Sequence, residues 1–143
     1  MQQEIIAIKD RMIDAIISKD VDASIQVFAR ESVMYLLNPP LRFKTSENAP
    51  GAPGIKEWFD TFEGPIQLSY QELEVTASDQ VAFCHSLDHL KGMRTDGTYT
   101  NMWYRETLGF QKIDGQWKVA HQHQSFPMYM DGSGKAASDL KPW

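Results

Sequence analysis

The sequence is poor in the residues that several functional classes require. Of its 143 residues only Cys84 is a cysteine, so no intrachain disulfide forms and a reducing compartment is the simpler setting. No neighbouring motif marks Cys84 as a nucleophile, and it reads as a small buried hydrophobe. Cations are few and scattered. The 14 Lys and Arg against 19 Asp and Glu leave a net charge of -5, which offers no footprint for a phosphate backbone. No apolar run approaches the roughly 20 residues of a membrane span. The opening MQQEIIAIKD interrupts its apolar residues with Glu4, Lys9 and Asp10, unlike the core of a signal peptide. The expectation is a cytoplasmic protein with neither nucleic acid nor membrane as a partner. What is present, 42% hydrophobic and 23% charged residues, suits one globular domain.

The apolar period is helical at first. Ile5, Ile8, Met12 and Ile16, joined by Ile6, Ile13 and Ile17, make an amphipathic helix of residues 4–19 that leaves Lys9, Asp10 and Asp14 for solvent. Asp22 is placed to cap a second helix, 23–29. A brief strand, 33–37, stops at Asn38-Pro39-Pro40 and gives way to a loop reaching Gly54. A third helix, 55–62, carries Trp58, Phe59 and Phe62 on one face. Beyond Gly64-Pro65 the period falls to two, and strands are expected at 66–77, 81–94, 98–113 and 116–126. The segment 129–143 reads as a loosely docked extension, with Leu140 and Trp143 able to pack back.

Two dipeptides, Asp96-Gly97 and Asp114-Gly115, are tight hairpin signals. With regular two-residue turns Thr95 faces Thr98 and Ile113 faces Gln116, and the faces of three strands follow. One face then carries Phe83, His85, Leu87, His89, Tyr104, Glu106, Leu108, Phe110, Val119, His121, His123 and Ser125, so that all four histidines share it. The other carries Cys84, Ser86, Asp88, Leu90, Trp103, Arg105, Thr107, Ala120, Gln122, Gln124 and Phe126, with Asp88 directly opposite Arg105. The histidine face, with the larger apolar residues, is expected to be the concave interior. The other face is expected to be solvent or an oligomer surface. A single β-bulge would invert part of a strand.

The stretch YRETLGFQKIDGQWKVAHQHQSFP resembles the nuclear transport factor 2-like superfamily, and within it the SnoaL-like and ketosteroid-isomerase-like proteins. The pattern of Asp114, Gly115, Trp117, His121, His123 and Ser125 is also similar to the association domain of calcium/calmodulin-dependent kinase. The resemblance covers residues 1–128 and implies an α+β cone, a curved antiparallel sheet packed on three N-terminal helices around a pocket. It also implies a homodimer or larger ring, and a membership divided between enzymes and non-catalytic binding or assembly modules.

The candidate chemistry centres on Glu106 beside His123, with His121 and His85 one row away. A buried carboxylate next to imidazoles can act as acid or base near neutrality. It would take a proton from the carbon α to a carbonyl while Tyr104 or His85 donates to the enolate oxygen. The substrate-binding set is Tyr104, Tyr35, Trp58, Phe59, His89, Ser125 and Leu108. The reading assigns neither metal nor cofactor; a zinc site of His121, His123, His85 and Glu106 is the alternative. Two functions stand open: an isomerase, cyclase or hydratase acting on a small apolar carbonyl compound, and a non-catalytic ligand-binding or oligomerisation module. In the second, the same clustered residues form a structural network.

Overall fold

A computed structural model describes residues 1–143. Helix α1, Gln2–Ile17, lays Ile5, Ile8, Met12 and Ala15 against the sheet. Lys9 lies on that same buried face and not in solvent, a correction to the sequence reading. Helix α2 is Val21–Gln26, shorter and earlier than expected, because Asp20 and not Asp22 supplies the cap: its Oδ1 accepts from the Ala23 N–H at 3.0 Å. Phe28 and Ala29 therefore begin strand β1, Phe28–Tyr35. A two-residue strand β2, Phe43–Lys44, interrupts the expected loop, and helix α3 is Ile55–Asp60.

The remaining strands are β3 (Gln67–Ala77), β4 (Val81–Met93), β5 (Tyr99–Ile113) and β6 (Gln116–Ser125). They form one 6-stranded sheet in the order β2-β1-β6-β5-β4-β3. The α+β architecture agrees with the expectation. β1 runs parallel to β6, and every other pairing is antiparallel. Ile5, Ile8, Met12, Cys84, Leu108, Phe110, Trp117 and Val119 pack as one apolar cluster, and Phe59, Phe62, Ile66, Leu90 and Tyr104 as another. Burial pushes the Cys84 thiol up to about 11, as befits a packing residue. In the tail, Met128 bridges Ala136, Ala137 is buried, and Trp143 lies 6.2 Å from the Trp103 ring.

The register departs from expectation at two places. Asp114 and Gly115 both adopt positive φ, 51° and 78°, and Ile113 faces Gln116 as a two-residue turn requires. At the other hairpin only Gly97 has positive φ, 88°. Arg94 N–H donates to the Thr98 carbonyl and Gly97 N–H to Arg94, which closes a three-residue loop. That added residue moves β4 by one against β5, so Asp88 faces Tyr104, and Arg105 faces Leu87. The second departure is a bulge: Phe110 pairs with Val119 but Gly109 with His121, leaving Ala120 unpaired and turning the rest of β6 over.

Candidate functional site

Each slip turns one strand relative to β5, and together they exchange the contents of the sheet's faces. Inward alternation brings Ser86 and Asp88 from β4, Tyr104, Glu106 and Leu108 from β5, and Gln122 and Gln124 from β6 against α1. Glu106, Tyr104 and Leu108 are buried as the sequence reading placed them. The histidines are not with them.

His85, His89, His121 and His123 share a face as expected, but it is the outer one, with Trp103, Arg105 and Thr107. The expected contact of Glu106 with His123 is corrected accordingly: Thr107 faces His123, and Glu106 faces Gln124. Tyr35 is also outside, with its ring edge-on to His121 and His123 at 4.9 and 5.3 Å. His121 Nδ1 lies 2.7 Å from the Val33 carbonyl, and His85 Nε2 lies 3.5 Å from Glu74. His89 stacks on Trp103 with ring centroids 4.2 Å apart. Ser125 faces outward and accepts from Arg105 Nε at 3.1 Å. The expected Asp88–Arg105 pair does not form, and Phe126 packs inward beside Tyr104. No three His, Cys, Asp or Glu side chains converge as a metal site would need, so the alternative zinc set is not assembled. An open recess of about 570 Å³ on this side is lined by Glu72, Glu74, His85, Arg105 and Thr107, among others.

The interior holds what the sequence reading missed. Lys9 Nζ lies 2.9 Å from Asp88 Oδ2 and 2.5 Å from Glu106 Oε1, with Lys9 and Asp88 each 1% exposed. Glu106 Oε2 accepts from Gln122 Nε2 at 3.1 Å and Gln124 Nε2 at 2.9 Å, and the Ser86 hydroxyl donates to Asp88 Oδ1 at 2.6 Å. The Tyr70 ring lies 5.4 Å from the ammonium, and its own hydroxyl donates to Asp10. The signal for Lys9 was its spacing, four residues after Ile5 and three before Met12, inside the apolar stripe. A lysine there reaches past the stripe on its apolar stem.

The two carboxyls of this layer are not equivalent. Burial alone would raise Glu106, but the charge of Lys9 and hydrogen bonds from Lys9, Gln124 and Gln122 hold it below the ordinary carboxylate value. Asp88 has fewer donors, and burial together with the negative charge of Glu106 pushes it up to about 7 against the pull of Lys9. Burial opposes the charge of Lys9, yet the two carboxylates keep its ammonium above its ordinary value. Tyr104, cross-strand partner of Asp88, is raised by burial and by the negative charges of Glu106 and Asp88, and no hydrogen bond in the chain occupies its hydroxyl. Beyond Tyr104 lie Phe59, which is buried, and Trp58, which is half-buried with its ring 5.1 Å from Phe62. The arrangement can hold one exchangeable proton on Asp88, with Tyr104, its cross-strand neighbour, at the edge of an aromatic cluster and its hydroxyl free to donate.

The sequence profile of the SnoaL-like domain family matches residues 5–129. No curated protein matches the sequence. Among solved structures, an NTF2-like protein of unknown function from Pseudomonas putida KT2440 is 28% identical, with 98% of this chain and 95% of that chain covered and a TM-score of 0.82. A candidate ketosteroid isomerase from Shewanella frigidimarina is 20% identical over 83% of this chain and 92% of that chain, with a TM-score of 0.68. The association domain of C. elegans CaMKII is 17% identical over 87% of this chain and 94% of that chain, with a TM-score of 0.64. At those two identities the likeness is one of fold. No helix of the chain is long and apolar enough to cross a membrane.

Proposed function

This chain belongs to the SnoaL-like domain family, and from that premise we propose that it is a small-molecule-binding domain performing acid–base chemistry on a small, mostly apolar carbonyl compound. The observation that carries this reading is the pairing of Asp88 with Tyr104 across β4 and β5. A buried carboxyl poised near neutrality lies across the ladder from a tyrosine whose hydroxyl has no hydrogen-bond partner in the chain. Asp88 takes the proton α to the carbonyl, and Tyr104 donates a hydrogen bond to the enolate oxygen. Return of that proton to a different atom gives isomerisation, and its delivery to a leaving hydroxyl gives dehydration. The ligand's apolar body takes the side of Trp58, Phe59 and Phe126, and it reaches Asp88 by parting that packing. Glu106 remains charged beside Lys9. The expected base is thereby moved from Glu106 and the histidines to Asp88.

Asp88→Asn and Tyr104→Phe test the assignment over a panel of enolisable ketones and β-hydroxy carbonyl compounds. Asp88→Asn is expected to lower turnover on the accepted compound by roughly 10² or more. Folding is checked by circular dichroism. A folded Asp88→Asn protein with undiminished turnover removes the catalytic reading. Binding of a panel member without turnover in the parent protein favours a ligand-binding module.

A second reading, assembly, is supported by the outer face, where Phe83 and Tyr35 are exposed and Trp103 half-exposed between the histidine strands. We propose that this convex face mates with a second copy in a homodimer. Light scattering after size exclusion is expected to give twice the chain mass, reduced to the chain mass by Trp103→Glu. A monomeric parent protein at all concentrations overturns this.

A further inference from the structure

The buried ion cluster makes one helix responsible for the electrostatics of the whole layer. Two carboxylates, each of which accepts hydrogen bonds, share a single ammonium, and Lys9, Asp88 and Glu106 are respectively 1%, 1% and 5% exposed. Fully ionised, the three carry one uncompensated negative charge away from water, which is costly. One proton on either carboxyl removes it. The donors decide which carboxyl takes it. Glu106 has the shorter contact with Lys9, and both Gln122 and Gln124 donate to its second oxygen. Asp88 has the longer contact with Lys9 and a single hydroxyl from Ser86. A serine hydroxyl can reverse its hydrogen bond and accept from a protonated carboxyl, whereas an amide N–H₂ cannot.

We propose that Lys9 and Glu106 form a fixed ion pair that positions and charges the layer, and that Asp88 is its proton-exchanging member, governed from α1 through Lys9. This rests on the reading of Asp88 as the base given above, and it deepens that reading by naming what regulates the base. Lys9 and Glu106 touch Asp88 or act upon it, and they are positioning residues. Their effects on it have opposite sign. The ammonium stabilises the ionised aspartate and the glutamate opposes it, so loss of each must move the proton equilibrium of Asp88 in opposite directions. The other groups facing the cluster are Tyr70 from β3, with Asp10 of α1 behind it, Cys84 and Ser86 from β4, Tyr104 from β5, and Gln122 and Gln124 from β6. None of them supplies a second cation. Control of the proton therefore passes through a helix whose other joints to the sheet include apolar packing and the hydrogen bonds of Asp10 with Tyr70 and of Glu4 with Trp117.

The experiment is a carbon-13 NMR titration of the Asp88 side-chain carboxyl in the parent protein and in Lys9→Met, Lys9→Arg and Glu106→Gln. Lys9→Met is expected to raise the Asp88 midpoint and Glu106→Gln to lower it, each by about one pH unit or more. Lys9→Arg is expected to restore most of the parent midpoint. A variant that only loosened packing would move the midpoint without that opposition of sign and without rescue by arginine. If Lys9→Met fails to fold, Glu106→Gln and Lys9→Arg still decide the matter. An unmoved or raised midpoint in Glu106→Gln overturns the proposal. Turnover does not enter this readout: opposed shifts together with activity indifferent to Asp88→Asn would keep the ion-pair assignment and remove the catalytic one.

Discussion

Replacing Asp88 by Asn is expected to remove the pH dependence of folding stability between pH 5 and 7. The Asp88 carboxyl lies at about 7 in the folded chain against an ordinary value of 3.8. The native state thus binds a proton that the unfolded state has released, and the stabilisation from that proton is complete below the unfolded value. It declines as pH rises toward the folded one and is gone above it. Glu106 is shifted the other way, and its contribution is present above the ordinary carboxylate range and lost as pH falls through its depressed value. Between pH 5 and 7 Glu106 is ionised in both states and adds nothing to the slope that Asp88 contributes. At about 1.4 kcal/mol per pH unit, two units correspond to roughly 2–3 kcal/mol of stability lost on going from pH 5 to pH 7. Urea unfolding followed by tryptophan fluorescence, at fixed ionic strength and four pH values from 5 to 8, measures it. Asp88→Asn retains a similar shape and an amide for Ser86, and its stability should stay nearly level over the same range. A parent protein that gains stability from pH 5 to 7, or an Asn variant that keeps the parent's slope, would show that Asp88 holds no such proton in the folded chain.

The remaining predictions concern the scaffold. Gly92→Ala would set a Cβ 2.6 Å from the Phe62 ring, so overpacking should cost about 1–3 kcal/mol in the same unfolding measurement. Asp20→Ala removes the side-chain acceptor of the Ala23 N–H at the start of α2 and should cost about 1 kcal/mol, with little change in Asp88 titration. Leu108→Ala, from a position with no exposure in the apolar cluster, should cost about 2–5 kcal/mol, read as a lower urea midpoint.

Much of the architecture was legible because long strands announce themselves by period. The last four strands were expected within two residues of where they lie. The shift of α2 was less visible, since Asp20 and Asp22 are both competent caps and only the parallel pairing of β1 with β6 settles that Phe28 is extended. The faces were harder still. Asp96-Gly97 and Asp114-Gly115 are the same dipeptide, yet the first has a single left-handed residue and the second has two. Loop length is decided by how the flanking strands pack, not by the dipeptide alone. The bulge at Ala120 has a fainter mark, the lone glycine Gly109 inside the facing strand; it turns Gln122 and Gln124 toward Glu106.

The two slips also explain why a face assignment based on apolar volume went astray. Either slip alone would divide the histidines between interior and exterior. Together they keep the histidines in one group and carry that group outside, while Ser86, Asp88, Gln122 and Gln124 come in beside Glu106. The exchange gives the layer a second carboxyl and more donors: Lys9 projects from α1 at the depth of Asp88 and Glu106, and this register sets Ser86 and Asp88 of β4 and Gln122 and Gln124 of β6 around the same ammonium and carboxylate. A buried carboxylate needs a charged or hydrogen-bonding partner, whereas imidazoles lose little by remaining wet. The buried ion cluster thereby couples the register of β4 and β6 to a lysine in the first helix. A variant lacking both its ammonium and the two carboxylates, Lys9→Met with Asp88→Asn and Glu106→Gln, should retain the strand order but lose the preference for this face. Solvent protection of the Gln122 and Gln124 side-chain amides would report it. Full protection of those amides in the triple variant would show that the bulge alone fixes the register.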